Sequence, residues 1–245
     1  MCPAPRRYGL VVAYWGLKAI VWPIFRLLFR VRIEGREHVP SSGPAVVAAN
    51  HQSFCDSLVI PLVVRRRVTF LAKAEYFDAK RTAWLFRALG QIPIHRQGGD
   101  ASARALATAR EVLGEGNLIS LYPEGTRSID GNVHRGRTGV ARLALECGVP
   151  VVPVGISGTD RIQPVGSRWF RPFKSVRVSF GPPMTFDSAA LVDAETGRTS
   201  NERLRSFTDE LMAEIARLAD RPYVDELAGR ATSVIDEGPA AASAS

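Results

Sequence analysis

The chain has little with which to build disulfides, hold a metal or attack a substrate directly. Its three cysteines, Cys2, Cys55 and Cys147, are odd in number and far apart. They give no disulfide framework and suit a reducing compartment. Cys55 reads as a small packing residue rather than a nucleophile. The four histidines, His38, His51, His95 and His134, are scattered singly, so no metal cluster is expected. No Gly-x-Ser-x-Gly elbow exists to present a nucleophilic serine. Neither a GxGxxG run nor a P-loop occurs, which argues against a nucleotide enzyme. Acidic residues are missing from the first 32 positions, where Arg6, Arg7, Lys18, Arg26, Arg30 and Arg32 lie. Lys18 interrupts the apolar stretch there and no small-x-small site follows it, so a cleaved signal peptide is not expected.

What is present is an ordinary globular balance with an excess of positive charge. Of 245 residues, 46% are hydrophobic and 23% charged, and the formal net charge is +8. Such an excess suits nucleic acid, an anionic membrane or anionic substrates. Its distribution favours a membrane. The basic residues of the N-terminal segment alternate with Tyr8, Tyr14, Trp15 and Trp22, residues that favour the bilayer interface. The segment is long enough to span a bilayer, but Lys18, Pro23 and Arg26 interrupt it. The pattern predicts a kinked helix lying in the cytoplasmic leaflet, a peripheral or monotopic attachment, with its basic residues against anionic lipid phosphates. A helix packed on the domain is the alternative. The run Arg65-Arg66-Arg67 invites nucleic acid, yet a short basic run is usually a solvated face, and no nucleic acid partner is expected.

Strand-like pieces (Val31–Glu34, Ala45–Ala49, Val68–Leu71, Ile92–His95, Leu118–Tyr122, Val151–Ile156, Val176–Phe180) alternate with helical ones such as Ala101–Leu113 and Gly139–Cys147. That alternation predicts an α/β fold, a layered domain with a largely parallel mixed sheet flanked by helices. Gly148 is a natural helix stop. Leu204, Phe207, Leu211, Ile215 and Leu218 recur at helical steps, predicting an amphipathic helix over Asn201–Asp220 that packs on the domain. Arg161–Ser175, rich in Pro, Trp and Arg, reads as a surface loop, open to membrane or donor contact or to plain solvation. The organisation expected is therefore residues 1–30 as a membrane-interacting helical segment, 31–225 as one domain, and 226–245 as a partly disordered tail.

One stretch carries chemistry. Asn50-His51-Gln52-Ser53-Phe54-Cys55-Asp56 follows the apolar run Ala45–Ala49 and sets a histidine at a strand end, five residues before a carboxylate. A histidine oriented by an acid can draw a proton from a hydroxyl. Residues five apart do not share a helix face. His51 and Asp56 meet only if His51 lies in a turn and Asp56 opens the next helix. Ser53 to Asp56 reads as a capping box that favours this. The same box offers a plainer role, in which Asp56 only ties down a helix end.

Three further segments stand beside it. Gly90–Arg96 ends a short strand on Arg96, whose planar fork suits phosphate, although a solvated arginine is the commoner fate of a single Arg. Tyr122–Ser128 makes a rigid Pro-Gly turn flanked by Glu124 and Arg127, either a brace or a ligand contact. Val151–Ser157 reads as a buried strand.

In this order the four segments resemble the motifs of the glycerolipid acyltransferase family, of the 1-acylglycerol-3-phosphate acyltransferase type. Asn50-His51-x-Ser53-x-x-Asp56, Gly90–Arg96, Pro123-Glu124-Gly125-Thr126-Arg127 and Val152-Pro153-Val154 match in sequence. The resemblance spans residues 30 to 185 or so. It implies acyl transfer from acyl-CoA or acyl carrier protein, as co-substrate and without a further cofactor, to a lysophospholipid acceptor, giving phosphatidic acid. In that reading His51 is the general base and Asp56 orients it. Arg96, Glu124, Gly125, Thr126, Arg127 and, more loosely, Lys73 hold the acceptor phosphate. The same residues could serve glycerol 3-phosphate, another lysophospholipid, a glycolipid or, with water as acceptor, a thioesterase. Arg135–Gly139 stands where many members carry a lysine-rich stretch, which leaves the donor open.

Overall fold

A computed structural model describes residues 6–78, 80–94, 101–167, 169–186 and 201–229. Five strands run parallel: β2 (Ala45–Ala49), β3 (Val68–Lys73), β4 (Ile92–Ile94), β5 (Leu118–Leu121) and β7 (Val151–Ser157). Two more, β1 (Arg30–Glu34) and β8 (Ser175–Phe180), are parallel to each other, and β8 runs antiparallel to β7. The sheet order is β1-β8-β7-β2-β5-β3-β4. The central strand β2 reads Ala-Val-Val-Ala-Ala and is buried at every position, as expected of a strand covered on both faces.

The connections decide where a site can form. From β2 the chain passes through α2 (Asp56–Val63) toward β3, whereas from the adjacent β5 it passes through α6 (Gly139–Cys147) toward β7 on the other side. Neighbouring strands whose crossovers diverge open a crevice at their carboxyl ends, the usual ligand position in such sheets. The two faces agree with right-handed crossovers. Val47 and Ala49 pack into a core with the α2 residues Val59, Ile60 and Val63. Val46 and Ala48 pack into a second core with α5 (Ala101–Gly114), α6 and α8 (Asn201–Ala219).

Helix α8 buries Leu204, Leu211, Met212 and Ile215, as its spacing predicts. Its end lies so close to β7 that a Cβ on Gly155 would sit 2.1 Å from the Ala219 nitrogen. Gly148 caps α6 in the left-handed region, at φ 62°. Two short strands, β6 (Val133–His134) and β9 (Tyr223–Val224), pair in parallel and fasten the chain beyond β5 to the chain beyond α8.

The N-terminal helix α1 (Arg6–Leu28) docks by one face. Tyr14 is buried, its hydroxyl donating to the Pro61 carbonyl (3.4 Å) and accepting the Val68 amide (3.4 Å). Burial pushes that phenol up to about 12. Lys18 departs from its expected place against lipid. Its ammonium turns inward to the Val64 carbonyl, satisfying a helix-end acceptor, and burial draws it down to about 8. No helix of the described residues is long and apolar enough to cross a membrane. A groove lined by Trp22, Arg26, Ile33, Arg36 and Arg65 lies beside α1, at the sheet edge away from the crevice.

Candidate active site

The crevice is built outward from Asn50. Its buried amide donates to the Ile156 carbonyl (2.9 Å) and accepts the Ile156 N–H (2.8 Å). These two bonds extend the β2–β7 ladder by one residue and fix where the chain leaves the sheet. His51 follows in the turn. Its N–H donates to Glu124 Oε1 (3.0 Å), and its carbonyl accepts from the Ser128 N–H (2.7 Å). The loop after β5 thus holds the backbone of His51 on both sides.

The side chain is held as firmly. His51 Nδ1 lies 2.9 Å from Asp56 Oδ2. That oxygen also accepts the N–H groups of Gln52 (2.7 Å) and Ser53 (2.8 Å). An oxygen that receives two amide protons is an acceptor, so Nδ1 carries a hydrogen, and in the neutral ring the lone pair is on Nε2. Nε2 has no hydrogen-bond partner among the described residues, and the side chain is 17% exposed. The capping box forms in a shifted version. Asp56 takes the Ser53 N–H as predicted, but Ser53 Oγ accepts from Cys55 (3.2 Å).

Tyr122 completes the enclosure. Its ring stacks on the imidazole at 3.9 Å and 7°, and its hydroxyl meets that of Ser57 at 3.0 Å. Burial, then the nearby charge of Asp56, raises the Tyr122 phenol well above its ordinary value. The ring therefore stays neutral and acts as a flat wall. In sequence Tyr122 passes for the flank of a turn, and nothing in its spacing marks it as a partner of His51.

Glu124 is buried, with its second oxygen accepting the His134 N–H at 3.2 Å. Both oxygens are engaged with main-chain donors, so Glu124 shapes the site through the backbone. Burial outweighs those bonds and lifts its carboxyl from 4.5 to about 7. His134 is in turn bonded through Nε2 to Asp130 (2.9 Å). Burial opposes protonation of His134, but that bond and charge raise its proton affinity overall.

Both shifts have the same sign for stability. A native group that binds its proton more tightly than the unfolded chain does contributes stability at low pH and loses it as pH rises. For Glu124 that contribution is full below 4.5 and gone above about 7. Stability is thus expected to fall from about pH 5 to pH 8, and Glu124→Gln is expected to flatten much of that slope, leaving the His134 share. Urea midpoints across the range decide it. An unchanged slope in the variant would place its origin elsewhere.

Gly125 forms the rim of the crevice. It sits at φ 75° and its N–H closes a turn onto the Tyr122 carbonyl (3.0 Å). The Arg137 side chain lies directly over it, Nε only 3.0 Å from where a Cβ would be. Arg137 is tied there by its own N–H, which donates to the Pro123 carbonyl (2.8 Å). It is exposed and its guanidinium has no hydrogen-bond or ion-pair partner among the described residues. Thr126 is half-buried and Arg127 buried. Lys73 ends β3 at the same edge of the sheet. Arg96 lies outside the described residues.

A base held by a carboxylate, on a turn braced by the same loop whose Gly125 lies under an unpaired guanidinium, is equipped to activate a hydroxyl on a substrate that bears an anion. A family model described as acyltransferase matches residues 30–157. The chloroplastic 1-acyl-sn-glycerol-3-phosphate acyltransferase LPAT1 of Arabidopsis thaliana is 31% identical over 183 residues, 74% of this chain and 50% of that protein. The human 1-acyl-sn-glycerol-3-phosphate acyltransferase alpha is 35% identical over 132 residues, 52% of this chain and 46% of that one. The crystal structure of PlsC, the 1-acyl-sn-glycerophosphate acyltransferase of Thermotoga maritima, superimposes with a TM-score of 0.64 at 28% identity, covering 88% of this chain and 82% of that one.

The chain belongs to the acyltransferase family. It spans about half the length of the curated relatives it matches.

Proposed function

We propose that the protein moves a fatty acyl group from a thioester, acyl-CoA or acyl carrier protein, to the free hydroxyl of 1-acylglycerol 3-phosphate, giving phosphatidic acid. His51 Nε2 takes the hydroxyl proton as the oxygen attacks the thioester carbonyl. The tetrahedral adduct collapses, the carbon–sulfur bond breaks, and the imidazolium returns the proton to the thiolate. Asp56 orients the ring and stabilises its charged form. The acceptor phosphate is held by Arg137 and Arg127, with Arg96 and Lys73, and with the Gly125-Thr126 turn beneath it. Glu124 braces that turn to His51. No further cofactor is called for, because the thioester is already activated. The enzyme works at the cytoplasmic face of an anionic membrane, resting there on α1.

The observation that carries this reading is the 2.9 Å His51–Asp56 contact, which leaves Nε2 unpartnered, with Arg137 over Gly125 next to Glu124, the residue that holds the His51 backbone. The names of the relatives in Arabidopsis thaliana, human and Thermotoga maritima support the choice of acceptor.

The test is purified protein in lipid vesicles with a panel of lysolipids and acyl donors, products identified by mass. Phosphatidic acid from 1-acylglycerol 3-phosphate is expected as the main product. In the same assay Arg137→Ala is expected to raise the acceptor KM about tenfold or more, the worth of one charge-assisted hydrogen bond. Fatty acid released equally with and without acceptor would make the protein a thioesterase. Preference for an acceptor lacking phosphate would overturn the proposed substrate.

A further inference from the structure

The loop leading into β8 exposes three aromatic rings: Trp169 is 82% exposed, Phe173 73% and Phe170 49%. They are presented on an anchored backbone. The Arg171 N–H donates to the Ile162 carbonyl (2.8 Å), the Phe173 N–H to the Leu28 carbonyl (2.7 Å), and the Arg30 N–H to the Lys174 carbonyl (3.0 Å). Trp169 is further held by the Ser167 hydroxyl, which accepts its N–H at 3.2 Å. Phe173 adopts φ 61°, a left-handed backbone that is unfavourable for a bulky residue. Strain of this kind persists where the surroundings impose it and where it serves a site. Here it holds a ring toward solvent.

The bond from Phe173 to Leu28 joins this loop to the end of α1. At 3.6 residues per turn, Val12, Ala13, Gly16, Ala19, Ile20, Pro23, Ile24 and Leu27 fall on the side of α1 opposite its docked residues Tyr14, Lys18, Trp22 and Phe25. From Val12 to Leu27 that outer side is exposed and carries no charge. Leu27 is 82% exposed and Ile20 64%. The rings thus extend an apolar strip past the helix end. The flanks are cationic. No Asp or Glu occurs between residues 161 and 186, a stretch that carries three arginines and a lysine besides Arg161 at its start, eight residues from Trp169.

These cations are Arg161, Arg168, Arg171, Lys174 and Arg177, and Arg171 and Lys174 are exposed beside the rings. An apolar strip with interfacial aromatics and a basic border fits the headgroup region of an anionic bilayer. We propose that Trp169, Phe170 and Phe173 form a second membrane wedge, coplanar in use with the outer face of α1. The inference rests on the membrane association proposed above and assigns it a second element.

The base of the same loop touches the catalytic turn. The Gln163 carbonyl accepts from Ser53 Oγ at 2.9 Å, and Gln163 Nε2 donates to the Ser167 carbonyl at 3.1 Å. Insertion of the rings therefore sets the crevice at a fixed distance from the lipid that carries its acceptor.

The experiment uses the full chain with Trp169→Ser, Phe170→Ser and Phe173→Asn combined; asparagine tolerates the left-handed backbone. Partition onto equimolar phosphatidylcholine–phosphatidylglycerol vesicles is measured by sedimentation. Binding is expected to fall by at least about tenfold, since several apolar side chains lose their burial. Turnover of a short-chain acceptor dispersed as monomer is expected to stay unchanged, and turnover of vesicle-borne acceptor to fall with binding. Undiminished binding of the triple variant overturns the wedge. So does a wild-type dimer that the substitutions dissociate, because the strip would then face a second copy. Ile20→Ser with Ile24→Ser separates the two readings. If that pair weakens binding and the loop variant does not, only the wedge fails. If wild type does not bind vesicles, the membrane reading fails as well.

Discussion

Replacing His51 with alanine is expected to lower acyl transfer by about two to four powers of ten, the usual worth of a positioned base. The fold should survive. The backbone bonds of His51, to Glu124 and from Ser128, do not involve its ring. Asp56 Oδ2 keeps two of its three donors. What is lost is one hydrogen bond and one aromatic stack, about 1–2 kcal/mol together. Turnover at saturating substrate, with urea unfolding as control, reads both. Full turnover in a folded variant would remove His51 from the chemistry.

Asp56→Asn is expected to cost a further class of effect at almost unchanged shape, about two to three powers of ten in kcat with little change in KM. Asp56 is completely buried and its Oδ2 gathers three donors, while Oδ1 has no partner among the described residues. An asparagine that keeps its oxygen toward the amides loses the charge that stabilises the imidazolium. One that turns its NH₂ toward His51 forces the proton onto Nε2 and removes the base. Alanine would be a poorer probe, since it strands two buried amides at about 1–3 kcal/mol each. A kcat within a few-fold of wild type would reduce Asp56 to a helix cap.

Much of this site could be read because it depends on local chemistry. The buried run Ala45–Ala49 declares a covered strand, and Ser53 with Asp56 declares a helix start. Together they leave His51 only the turn between. The alternation of elements likewise announced a largely parallel sheet. Sheet order was not legible, since pairing β8 beside β7 and β1 is a matter of long-range register. Tyr122 and Asn50 work through contacts 71 and 106 residues distant in sequence, and no periodicity records those. Strands of two residues, β6 and β9, leave no pattern at all. Lys18 was misplaced for a related reason. Its charge suggested lipid, but the carbonyl it satisfies belongs to Val64, the residue that caps α2, 46 residues away.

Whether Asp56 works through the imidazole can be measured most directly with a double-mutant cycle in single-turnover acyl transfer. If the two side chains act as one unit, His51→Ala combined with Asp56→Asn should be no slower than His51→Ala alone. Losses that multiply in the double variant would mean that the two residues act independently, and would contradict the coupled pair on which the mechanism stands.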